Sequence, residues 1–186
     1  MRHSKHRNYQ NSFANRGMGL EEDLKITNQF YLEKNKAVIH KKPTAVTIKK
    51  VTYPNQKYTK IVDGYFTTPS TTDYNGIYRR RHLDFEAKET KSKTNFPLSS
   101  VPKHQIEHLK NINEHGGIAF LIIRFVSLEK TFFIDITDIL SFLKTQTRKS
   151  LPYSFIQEKG VEIPVEYQPR LDYLKIIDKL YFKGVD

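Results

Sequence analysis

Residues 71–90 read TTDYNGIYRRRHLDFEAKET. Side chains two apart on a strand share a face, so Asp84, Glu86 and Lys88 stand on one side while Phe85 and Ala87 point into a core. Asn75-Gly76 is a tight-turn dipeptide, and the strand that follows it is expected to run to about Thr90. Asp73, across the turn, adds a second acid beside Glu86. Two carboxylates and an ammonium held together provide hard oxygen ligands for Mg²⁺ and a cation for developing negative charge. An isolated E-x-K on a strand also reads as an ordinary cross-strand salt bridge on a solvated face.

Working outward, the pattern from Gly19 to about Asn35 is helical. Leu20, Leu24, Ile26, Phe30 and Tyr31 line one broad face, and Glu21, Glu22 and Asp23 sit in the first turn where the macrodipole favours acids. AVIHKK (37–42) is a short strand. TAVTIKKVTYP (44–54) alternates like another, and its lysines and flanking prolines point to an extended basic projection rather than buried sheet. Pro102 opens a helix over KHQIEHLKNINEHGG that carries Ile106, Leu109 and Ile112 and stops at Gly-Gly. IAFLIIRF (118–125) is apolar almost throughout, as in a strand buried on both faces, and KTFFIDI is its neighbour. TDILSFLK reads as a short helix. PRLDYLKIIDKLYF reads as a last amphipathic helix using Leu171, Leu174, Ile177 and Leu180. Strands alternating with helices give a mixed α/β layer fold.

The 186 residues suffice for one domain with its own core. There is no cysteine, which excludes disulfides and thiolate metal sites and suits a reducing, cytoplasmic setting. The N-terminal sequence is charged from its second residue, and no window resembles a membrane span. The net charge is +11, and its distribution points to phosphate. Residues 1–20 contain Arg2, Lys5, Arg7 and Arg16 without an acid, and the interval between Glu33 and Asp63 carries eight lysines without one. Residues 1–15, polar and basic, read as a flexible arm. Arg16, Lys49, Lys50, Lys57 and the triple Arg79-Arg80-Arg81 are the candidate phosphate contacts.

Thr71-Thr72-Asp73 followed by Asp84-Phe85-Glu86-Ala87-Lys88-Glu89-Thr90 resembles the PD-(D/E)XK nuclease motif. The likeness extends through NRGMGLEEDL (15–24), AVIHKKPTAVTI (37–48), STTDYNGIY (70–78), DFEAKETKSKTNFPL (84–98), HQIEHLK (104–110) and QPRLDYL (168–174). Together these are similar to the Holliday junction resolvase RecU family, also called penicillin-binding-protein-related factor A. The resemblance implies a restriction-endonuclease-like mixed sheet flanked by helices, in one nuclease domain over 16–186 with a protruding basic stalk over about 42–66. It makes Thr71, Asp73, Glu86 and Gln105 the Mg²⁺ residues, with Mn²⁺ as a substitute, and Lys88 the transition-state stabiliser. Glu21 matches an auxiliary carboxylate of the family and is equally a helix-start acid. The implied partners are four-way junctions and branched DNA, a second copy of the chain in a homodimer, a recombinase (RecA) and the branch-migration machinery. In the stalk, YPNQK places Gln56 where the family usually carries arginine.

Two other readings compete. HQIEH (104–108) fits the inverted zinc-peptidase pattern H-x-x-E-H, with His104 and His108 one helical turn apart, Glu107 between them and Glu158 or Glu162 as a third ligand. Alternatively, the protein binds junctions or modulates a recombinase without chemistry of its own.

Overall fold

A computed structural model describes residues 19–43, 46–55, 58–66 and 71–182. The arm at 1–15, Arg16, Gln56 and Lys57 lie outside the described residues. The chain begins with helix α1 (Leu20–Glu33) and strand β1 (Val38–Lys41). It continues through β2 (Val46–Asn55), β3 (Tyr58–Phe66), β4 (Tyr74–Tyr78), β5 (Arg81–Thr90) and β6 (Asn95–Pro97). Next come α2 (Lys103–Glu114), β7 (Ile118–Phe125), β8 (Lys130–Asp135) and α3 (Ile136–Thr145). The last elements are β9 (Ser150–Pro152), α4 (Tyr153–Lys159), β10 (Val161–Glu162) and α5 (Tyr173–Tyr181).

Six strands form a mixed sheet in the order β1-β4-β5-β7-β8-β10, in which only the β5–β7 pairing is parallel. That pairing requires a crossover, and α2 supplies it. Helices α1 and α5 cover one face and α2, α3 and α4 the other, which is why all eight residues of IAFLIIRF are buried. Ile118, Phe120 and Ile122 pack towards α1 and α5; Ala119, Leu121, Ile123 and Phe125 pack towards the other layer. Tyr74, Phe85, Phe120 and Phe133 stack across four strands with successive ring centroids 4.8, 4.6 and 4.4 Å apart. Strands β2 and β3 pair only with each other among the named strands, in a hairpin whose described side chains are mostly exposed, Lys49 and Lys50 included.

Three sequence expectations are displaced. The tight turn falls at Arg79-Arg80, both left-handed (φ 45° and 65°), joining β4 to β5 as a two-residue primed turn. Gly76 instead lies mid-strand opposite Ile39, and a Cβ there would stand 2.2 Å from the Val38 carbonyl oxygen and 2.7 Å from Ile39 Cα. Close approach of β1, not turning, is what glycine provides here. Gly76→Ala should therefore lower stability by about 2 kcal/mol in urea unfolding, since neither contact is a side-chain tip that can yield; an unchanged midpoint would show that β1 adjusts freely.

In α1 the helical period is as read, but Asp23, Thr27 and Asn28 share the buried face with Leu20, Leu24 and Tyr31, while Ile26 is only half-buried. Each polar group has a partner. Thr27 Oγ1 accepts from the Leu171 N–H, Asn28 accepts from the Tyr173 hydroxyl, and Asp23 meets two arginines. The last helix starts at Tyr173 rather than at Pro169, and Leu180 is exposed. Short elements that periodicity cannot resolve (β6, β9, α4 and β10) complete the layer above α2's side of the sheet and its far edge.

Candidate active site

Strand β4 starts at Tyr74, opposite Phe85, so Glu86–Thr90 run on past it and leave that flank of β5 without a ladder partner. The gap is where the charged residues gather. Glu86, fully buried, accepts a 2.9 Å hydrogen bond through Oε2 from the backbone N–H of Asp73. Lys88 forms an ion pair with Glu86 Oε1 and stands 3.4 Å from Asp73 Oδ2. Both carboxylates are thus turned towards one ammonium, and the strand places a salt bridge and its second acid in a half-enclosed site rather than on a solvated face.

Burial is the main influence on Glu86 and raises its pKa; the Lys88 ammonium pulls it back, the Asp73 carboxylate adds to the rise, and the result is pushed up to about 7. For Lys88, burial works against the charge, but Glu86 and Asp73 more than restore it and leave the pKa above the usual lysine value. A native Glu86 that titrates higher than in the unfolded chain stabilises the fold fully below about pH 4.5, and this contribution is lost as the pH rises through about 7. In EDTA, the stability difference between wild type and Glu86→Gln should accordingly change by about 2 kcal/mol between pH 5 and 8, against the wild type at the higher pH. Parallel melting curves for the two proteins would show that Glu86 titrates normally.

Gln105 lies in the first turn of α2, buried at 6 % exposure. The helix runs antiparallel to β5, because its far end leads through Gly117, packed near the His82 carbonyl, into β7 beside Leu83. His108 Nε2 reaches Asp84 at 3.2 Å. One turn back along the helix and two residues on along the strand, Gln105 comes level with Glu86. Gln105 Oε1 is buried and accepts no hydrogen bond from the described residues, while Glu86 Oε1, equally buried, has its ion pair to Lys88. A buried amide oxygen without a donor, level with two carboxylates that share one ammonium, fits a hard divalent cation.

Thr71 is exposed at the start of the same loop, and its hydroxyl accepts from Lys42 Nζ at 3.0 Å. Glu21 shares a cleft of about 350 Å³ with Asp73, Lys88, Lys41 and Glu89, and its carboxylate pairs with Lys41 at 2.5 Å. It is brought there because Glu89 Oε1 accepts from the Leu20 N–H at 2.7 Å and seats the start of α1 against β5.

The three arginines lie at the opposite end of the β4–β5 hairpin from Asp73 and Glu86. Arg79 is committed to α5: its guanidinium lies 5.3 Å from the Phe182 ring centroid, 5.9 Å from that of Tyr78 and 3.5 Å from Asp178. Arg81 is partly buried and Arg80 exposed. Lys49 lies over the Tyr65 ring, 5.0 Å from its centroid. The zinc-peptidase pattern does not assemble. His108 is turned to Asp84, Glu107 pairs with Lys110, Glu158 with Lys159 and Glu162 with Lys130, and no group of three His, Asp or Glu side chains among the described residues could hold a metal. Lys42, Thr72, His82 and His108, which converge on Asp84, were not legible beforehand. Only the shared face of Asp84 and Glu86 gave a hint of them.

Comparison with known proteins shows which family the chain resembles. Curated relatives named Holliday junction resolvase RecU include those of Oceanobacillus iheyensis (49 % identical, covering 91 % of this chain and 88 % of the relative), Geobacillus kaustophilus (49 %, 91 % and 86 %) and Bacillus cereus (47 %, 92 % and 87 %). A solved structure of Archaeoglobus fulgidus Hjc, a Holliday junction resolvase, aligns with a TM-score of 0.44 at 16 % identity over 77 % of this chain and 93 % of that one. The family model for Recombination protein U matches residues 15–179, a span that takes in Glu21, Asp73, Glu86, Lys88 and Gln105. With the model matching nearly the whole chain and relatives close to half identical along their length, the chain belongs to the RecU family.

Proposed function

We infer that the protein is a Holliday junction resolvase, a divalent-metal-dependent endonuclease that nicks two opposed strands of a four-way DNA junction. The observation that carries this is the Asp73–Glu86–Lys88 cluster, with the donor-less buried oxygen of Gln105 beside it, on a chain so close to proteins of that name. Asp73, Glu86 and Gln105, with Thr71 at the rim, would hold Mg²⁺, and Mn²⁺ would substitute. When bound, the ion would supply Lewis-acid stabilisation of the phosphate and help activate water at neutral pH.

The protein's own groups do the rest. Glu86, tied to the Asp73 N–H, fixes the two carboxylates relative to each other. Lys88, kept protonated by both acids, stands ready to offset charge on the phosphoryl oxygens. Glu21 adds a carboxylate across the cleft.

Affinity comes from the basic surfaces. Lys49 and Lys50 of the β2–β3 hairpin, which we read as the stalk, together with Lys57, Arg16 and Arg80, supply phosphate contacts. Arg79 and Arg81 serve the hairpin turn first. Two opposed nicks require two sites, hence a homodimer; a recombinase and branch-migration proteins are the expected company, in the cytoplasm. Among the described residues no helix is long and apolar enough to cross a membrane.

The test is a strand-cleavage assay on a synthetic four-way junction with Mg²⁺ against EDTA. Symmetric nicks that need the ion are expected. Binding without nicks would favour a non-catalytic junction binder, and equal cutting of linear duplex would remove the junction specificity.

A further inference from the structure

Asp84 lies two residues before Glu86 on the same face of β5, and its side chain is 2 % exposed. Four groups from three other places in the chain or from its own strand close on it. The Lys42 ammonium is 2.9 Å from Oδ2 and 3.2 Å from Oδ1, His82 Nε2 is 3.3 Å and His108 Nε2 3.2 Å from Oδ2, and the Thr72 hydroxyl donates to Oδ1. Lys42 does more than neutralise the carboxylate. Its ammonium also donates to the hydroxyls of Thr72 at 2.6 Å and Thr71 at 3.0 Å, and its backbone N–H donates to the Asp73 carbonyl at 2.8 Å.

One buried carboxylate therefore ties down both segments that face Glu86. Through Lys42 and Thr72 it holds the loop bearing Thr71 and Asp73, and through His108 it holds α2 one turn from Gln105. The same contacts close the neck of the hairpin insertion, because the chain leaves the sheet after Lys41 and rejoins it at Tyr74. A ligand set drawn from a loop, a strand and a helix needs such a fixture, since each element could otherwise shift by more than a metal–oxygen bond tolerates.

We propose that Lys42 and Asp84 are a positioning pair that sets the Thr71–Asp73 loop and α2 against Glu86, so that the oxygens of Asp73, Glu86 and Gln105 converge on one divalent ion. Neither residue touches the reacting atoms. The proposal rests on the metal-dependent nuclease reading above and concerns how its ligand set is held.

The test uses the full-length protein. Mn²⁺ is titrated calorimetrically into DNA-free wild type, Lys42→Met and the double variant Lys42→Met/Asp84→Asn, with thermal midpoints and junction affinity in EDTA measured alongside. The expected result is Mn²⁺ binding weakened about 10- to 100-fold in Lys42→Met, with junction affinity within about twofold of wild type because the phosphate contacts lie elsewhere. In the double variant no charge is left unpaired, so the thermal midpoint should recover towards wild type while Mn²⁺ affinity stays low. Wild-type Mn²⁺ affinity in Lys42→Met would overturn the proposal. So would a double variant that regains metal affinity together with stability, since the pair would then act through the fold alone. Wild-type protein that cleaves no junction with Mg²⁺ would instead remove the nuclease reading, a separate failure seen before any variant is made.

Discussion

Lys88→Met should cleave four-way junctions about 10² to 10³ times more slowly than wild type under single-turnover conditions with saturating Mg²⁺. Methionine keeps the length and apolar stem of the side chain and deletes only the ammonium, so the strand and its packing persist. The charge matters because of where it is held. Glu86 and Asp73 both face it, burial would otherwise neutralise it, and the two acids keep it protonated. Without it the carboxylates repel each other, and a bound ion can relieve that repulsion, so metal binding survives while the developing negative charge loses its partner. Junction affinity measured in Ca²⁺ should stay within about twofold, because binding draws on many lysine and arginine contacts to phosphate. A rate loss below about tenfold would reduce Lys88 to a structural salt bridge. A parallel loss of affinity would show that it binds DNA rather than the transition state.

The carboxylates and the lysine were legible in DFEAK because strand alternation is a two-residue rule that needs no partner. What the strand lay against was not. Reading Glu86 as solvated failed because the same alternation holds on both faces of a sheet, and only the placement of α2 makes this face interior. Gln105 could be reached only through family likeness: its role comes from the helix's antiparallel return over β5, a long-range fact. Asn75-Gly76 misled for a related reason. Glycine is needed both where a chain turns and where another backbone comes close, and the approach of β1 is invisible to a local pattern. The turn fell instead on two arginines that local propensity disfavours in a left-handed conformation. One of them is held there by its neighbour Tyr78 and by Asp178 and Phe182, from α5 and its end, about a hundred residues along the chain. The helical period of α1 was read correctly, yet its buried face carries an aspartate whose partners lie 101 and 147 residues away.

That aspartate is a buried counter-charge shared by two arginines. Asp23→Ala should lower the free energy of unfolding by about 3 to 5 kcal/mol, read as a fall in the urea midpoint at unchanged slope. Asp23 is 2 % exposed and meets Arg124 Nη2 at 2.7 Å and Arg170 Nε at 3.0 Å. Arg124, itself almost buried on β7, also donates to Thr131 Oγ1 and lies 4.0 Å from Glu89. Alanine would leave two guanidiniums facing each other where one carboxylate had balanced both, and a buried cation without its counter-charge is what makes such a truncation costly. The pair itself need not be worth that much, since desolvation offsets most of its attraction. Replacing Asp23, Arg124 and Arg170 together by apolar residues should thus be milder than Asp23→Ala, and a triple variant as unstable as the single one would place the energy in the lost hydrogen bonds instead. The cluster also bears on catalysis. It joins α1 to β7 beside Glu89, the residue that seats Leu20 and brings Glu21 to the cleft. Asp23→Ala protein still folded at low temperature should therefore cleave more slowly.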